Sequence, residues 1–213
     1  MQRHTFAMEM KNVEGFRSAI GEIWIELKKI LKENGVRNFS IWTVEKLVFG
    51  YYETENELHY TDEVKEAVAK WEEKYGNNFE WISEPFKEMR LMYQDFGIVR
   101  ESKDLIRHRV FITKLKPGNE EEYKARHDKL VEARNGEITK GPDSNFSIWY
   151  GGGYIFGYNE IDTTMEKEET EEDRQNAIAW ETRMLEIMDW RTDDVDWISG
   201  EHHKHIQLFA SFQ

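Results

Sequence analysis

Asn38-Phe39-Ser40-Ile41-Trp42 recurs as Asn145-Phe146-Ser147-Ile148-Trp149, displaced by 107 positions, and Phe49-Gly50-Tyr51 recurs as Phe156-Gly157-Tyr158 at the same displacement. Glu53 matches Glu160 in the same register, and Arg3-His4 and Arg107-His108 open the two halves. Trp71-Glu72 matches Trp180-Glu181, and Trp81-Ile82-Ser83 is matched to Trp197-Ile198-Ser199, with growing displacements that imply insertions. Such repetition means that one structural unit is built twice. The two copies are read as residues 1–100 and 107–213, with the charged stretch Arg100-Glu101-Ser102-Lys103-Asp104 as linker.

Both copies carry the same periodicities. In the first, residues 5–10 alternate as a strand, and Phe16, Ile20, Ile23, Trp24, Leu27, Ile30 and Leu31 fall at helical spacing. Residues 38–42 and 47–53 read as a hairpin. Thr61 caps a second helix with the stripe Val64, Ala67, Val68, Trp71 and Tyr75, and a last strand is expected over 87–96. The second copy predicts a strand over 109–115, a helix over 119–134 and a hairpin of 146–149 with 154–161. Thr170-Glu171-Glu172-Asp173 is a capping box before the stripe Ala177, Trp180, Met184, Ile187, Met188, and the final strand is expected over 203–212. The order βαββαβ is that of the ferredoxin-like unit, an α+β fold with both helices on one sheet face. The bare faces are expected to pack sheet to sheet as an α+β barrel.

Composition narrows the function classes. With 29 Lys and Arg against 42 Asp and Glu, the net charge is −13 over 213 residues, which disfavours nucleic acid and anionic membrane surfaces as partners. No apolar run spans a bilayer and no signal peptide is read at the start. The absence of Cys excludes disulfides, thiolate metal sites and Cys nucleophiles, and suits a cytoplasmic protein. Eight Trp, nine Tyr and twelve Phe provide the bulk for a core.

Tyr123 and His127, one helical turn apart, replace Phe16 and Ile20 of the first copy on the inward stripe. Two readings stand for them: a hydrogen-bonded core pair, or a proton-transfer pair in a cavity. His202-His203-Lys204-His205 reads as an exposed polar edge, with no metal expected. Gly151-Gly152-Gly153 reads as a hairpin turn, and the acidic run over 166–173 as a solvated helix start. Trp71 and Trp180 read as core. Trp42 and Trp149 read as the lining of a sugar-stacking cavity or the cover of an edge.

Lys114-Leu115-Lys116-Pro117-Gly118, then Glu121-Glu122-Tyr123-x-x-Arg126-His127, resembles the start of L-rhamnose mutarotases, as do the Asn-Phe-Ser-Ile strand, Phe156-Gly157-Tyr158 and the Trp180 helix. In the first copy Ile23-Trp24-Ile25-Glu26-Leu27 and Leu31-Lys32-Glu33-Asn34-Gly35 are similar to further segments of that family. The resemblance implies a ferredoxin-like α+β barrel, usually a homodimer and here a pseudo-dimer within one chain. It implies cofactor-free interconversion of the anomers of L-rhamnose or a related sugar. It implies Tyr123 and His127 as the acid–base pair, and Arg126, Trp149, Trp180 and Asp196 are taken as candidate sugar contacts. The first copy lacks the pair, and neither copy has the family's Asn-Pro-Asp-Asn-Ser-Pro loop. A non-catalytic carbohydrate-binding or structural relative, and an oxygenase-like enzyme of the wider barrel group, remain alternatives.

Overall fold

The computed structural model describes residues 1–56, 60–192 and 205–213. Its elements run β1 (Gln2–Met10), α1 (Val13–Glu33), β2 (Val36–Val44), β3 (Leu47–Thr54), α2 (Asp62–Tyr75), β4 (Phe79–Trp81) and β5 (Arg90–Asp95). They continue with β6 (Ile106–Leu115), α3 (Glu120–Ala133), β7 (Asp143–Gly151), β8 (Tyr154–Asp162), α4 (Glu171–Met184), β9 (Met188–Thr192) and β10 (Gln207–Phe212). The strands form two five-stranded antiparallel sheets, ordered β10-β2-β3-β1-β4 and β5-β7-β8-β6-β9. Four neighbours in each sheet, with two helices, make the expected ferredoxin-like module. None of the helices among the described residues is long and apolar enough to cross a membrane.

The sequence placed the last strand of each copy in its own sheet, over 87–96 and 203–212. The structure exchanges them: β5 pairs with β7, and β10 pairs with β2. The compact units are accordingly Met1–Met89 with Gln207–Gln213, and Arg90–Ile206. The registers are equivalent down to a shared irregularity, between Leu91 and Tyr93 in one sheet and Leu208 and Ala210 in the other. What closes each module is instead a short strand that the periodicity missed, β4 or β9. Ile187 and Met188, expected on the helical stripe, lie beyond α4, in the turn and at the start of β9.

Within the first unit, Met8, Met10, Phe16, Ile20, Phe39, Ile41, Trp71 and Phe79 form a core between the sheet and its helices. Asn12 caps α1 by accepting from the Gly15 N–H, and Thr61 caps α2. In the second unit Phe111, Leu115, Tyr123, Ile148, Ile155, Met184 and Met188 form the corresponding core. Thr170 and Asp173 close the expected capping box on α4.

The repeated motifs have structural causes. Asn38 and Asn145 take positive φ where β2 and β7 bulge, and their amides donate to the buried carboxylates of Glu53 (3.0 Å) and Glu160 (3.2 Å). The hydroxyls of Tyr51 and Tyr158 donate to the same carboxylates, at 2.8 and 2.9 Å. Gly50 and Gly157 lie opposite Phe6 and Phe111, whose rings lie where a Cβ would be, at 2.0 and 2.2 Å. Gly50→Ala should therefore force Phe6 out of place and cost about 1–3 kcal/mol. A thermal melt indistinguishable from wild type would refute that close approach.

The same glycines align the copies: Phe6 corresponds to Phe111, so Arg3 rather than His4 corresponds to His108. Trp81 matches Trp190, not the expected Trp197, which lies outside the described residues. Trp81 Nε1 donates to Glu72 Oε1 at 2.5 Å, and the Trp190 indole donates to Glu181.

Candidate active site

α3 enters the second module after Pro117-Gly118, a turn that lengthens this connection by two residues relative to the first copy. Lys116 just before it donates from Nζ to the carbonyls of Leu185 (2.6 Å) and Glu186 (3.1 Å), just past the end of α4, where the helix dipole favours a cation. Arg126 ties the two helices together from outside. Its guanidinium reaches Glu122 Oε1 at 2.7 Å, Glu186 Oε2 at 3.0 Å and the Arg183 carbonyl. These contacts hold the inner face of α3 against α4 and the sheet.

On that inner face Tyr123 and His127 are 2% and 4% exposed, and their rings stack with centroids 4.4 Å apart. Trp180 of α4 meets His127 edge-on at 5.1 Å. Tyr93, which no sequence pattern singled out, packs on His127 at 5.2 Å from the exchanged strand β5. Of the six expected site residues, the structure brings together Tyr123, His127 and Trp180. Arg126 is engaged with α4 and its own helix. Trp149 lies on the other sheet face, since Ile148 beside it packs in the helix-covered core and strand side chains alternate; its Nε1 donates to Ser147 Oγ at 3.0 Å. Asp196 lies outside the described residues, as do His202, His203 and Lys204.

His127 Nδ1 lies 3.0 Å from the Tyr123 carbonyl, which can only accept, so Nδ1 carries the proton and Nε2 the lone pair. Burial lowers the imidazole pKa to about 4, so it is neutral at pH 7. Burial raises the Tyr123 phenol well above its ordinary value, so it keeps its proton. One turn of helix thus presents a neutral base and a neutral acid side by side, against the indole of Trp180.

A family model described as L-rhamnose mutarotase matches residues 3–94 and again residues 108–209. Comparison with curated proteins and with solved structures finds no match.

Proposed function

Because the chain belongs to the L-rhamnose mutarotase family, we propose that its second copy interconverts the anomers of L-rhamnose or a related sugar by cofactor-free acid–base ring opening. The observation that carries this reading is the stacked pair itself, Tyr123 with its proton and His127 with its Nε2 lone pair. His127 Nε2 takes the proton of the anomeric hydroxyl while the Tyr123 hydroxyl gives its proton to the ring oxygen. The bond between the anomeric carbon and the ring oxygen breaks, leaving the open aldehyde. Rotation about the first carbon–carbon bond turns the other carbonyl face inward, and reclosure returns both protons.

Burial opposes an imidazolium or a phenolate standing alone, so the two transfers are favoured when they occur together. Trp180 supplies an apolar wall of the kind that packs on the C–H face of a sugar. A well-placed acid or base contributes about 10²–10⁴-fold in rate. Tyr123→Phe, which keeps the ring and removes the proton, should slow exchange by that order. The measurement is saturation-transfer NMR between anomers of L-rhamnose and of a panel of related sugars. Wild-type protein that fails to accelerate exchange in any of them ends this proposal.

A further inference from the structure

The first module holds a cavity of about 430 Å³ between its sheet and helices α1 and α2. That lies within the range of small-molecule sites, about 300–1,000 Å³. Phe16 and Ile20, at the positions of Tyr123 and His127, form part of its wall, with Met8, Phe39 and Ile41. A sugar placed against these side chains would leave buried hydroxyls without partners, which is unfavourable. The cavity is therefore built for something else.

Besides charged side chains at its border, its aromatic wall carries two polar features. Tyr52 and Tyr60 satisfy each other, hydroxyl to hydroxyl at 2.5 Å. Trp71 does not fit that pattern: it is 8% exposed, and its buried Nε1 has no hydrogen-bond partner among the described residues. An unmet buried N–H is rare and destabilising. A water there would need two to four polar partners, and the surrounding wall is largely hydrocarbon. Trp180, the equivalent of Trp71, flanks His127 in the second copy. At the border Lys74 pairs with Glu22 at 3.0 Å and Lys87 with Glu84 at 2.8 Å, and the exposed Glu26 and Lys70 are of opposite sign, so the charges there balance and none favours an ionic guest.

We propose that the first copy is a binding site for an uncharged, mostly apolar small molecule carrying a carbonyl or similar acceptor, which accepts the hydrogen bond of Trp71 Nε1. The site is separate from the acid–base pair, and the duplicated chain carries two pockets of different chemistry.

The test uses the full chain, with 2-acetylnaphthalene and 2-ethylnaphthalene as matched probes. The expected result is saturable one-to-one binding of the ketone, with a downfield shift of the Trp71 indole proton, identified by its loss in Trp71→Phe. The ketone should bind about tenfold better than the hydrocarbon, the worth of one hydrogen bond. Trp71→Phe keeps an aromatic ring but no N–H, and should bring the two probes within about twofold. Ile20→Trp should fill the cavity and abolish both. Should Ile20→Trp fail to fold, the Trp71→Phe comparison decides alone. Anomer exchange by the second copy should stay at the wild-type rate in both variants, which separates this proposal from the preceding one. Absence of saturable ketone binding, discrimination that survives Trp71→Phe, or displacement of the ketone by L-rhamnose would overturn it.

Discussion

His127→Phe should slow anomer exchange by about 10²–10⁴-fold at neutral pH while the second module stays folded. Phe is a planar ring only somewhat larger than imidazole, and an apolar side chain at the equivalent position, Ile20, is already part of the first core. Two pH dependences accompany this result. In the wild type, Nε2 must be unprotonated to act, and its pKa of about 4 keeps it so through the range where an ordinary histidine is charged. Activity should therefore hold as pH falls through 6.5 and decline only near 4. Stability moves differently. The unfolded chain binds a proton at this histidine below about pH 6.5, and the folded chain does so only near 4. Stability is thus present above 6.5 and lost as pH falls toward 4, by about 3 kcal/mol in all. His127→Phe removes that contribution, so the wild-type-minus-variant difference in unfolding free energy should shrink by this amount between pH 7 and 4. A rate profile with an acid limb at 6.5, or a variant that retains full exchange, would dismiss His127 as the base.

Deleting residues 207–213 should unfold the first module, although those residues are remote from it in sequence. β10 covers the edge of β2, and Phe212 stacks on Phe39 with centroids 5.2 Å apart and is 5% exposed. Phe209 packs on Phe16 at 6.3 Å. Losing a buried Phe typically costs about 3–5 kcal/mol, and the total stability of a domain is about 5–15. The single change Phe212→Ala should lower stability by about 3–5 kcal/mol. Tryptophan fluorescence and hydrogen exchange would follow the loss, with protection vanishing first in β1 to β3. A truncated chain with unaltered protection there would contradict this account.

Most elements were legible because each copy buries one helix face and one sheet face, which imposes the 3.6 and 2 periodicities. The Phe-Gly-Tyr repeat marked a real constraint, a ring lying where a Cβ would be. Three features were not legible, for distinct reasons. β4, only three residues long, carries too little alternation to register. A signal existed elsewhere, because Trp71 and Trp81 are spaced as Trp180 and Trp190 are. Trp149 misled because alternation identifies neighbours on a face without saying which face the helices cover. Tyr93 could not have been assigned to His127, since its sequence position belongs to the first copy. Which sheet an edge strand joins is decided by long-range pairing, and nothing within residues 90–95 encodes it.

Duplication ordinarily frees one copy to decay while the other keeps working. Here that freedom is divided, because each repeat supplies a piece of backbone that its sibling needs. A mutation that unravels the first sheet leaves β10 without its neighbour, and one that unravels the second strands β5. Selection acting on the proposed proton-transfer pair in one copy would therefore also preserve the architecture of the other. Side chains lining the first cavity can change with few consequences for the second, whereas hydrogen-bonded edges cannot. The chain is held to a shared frame with one interior free to vary.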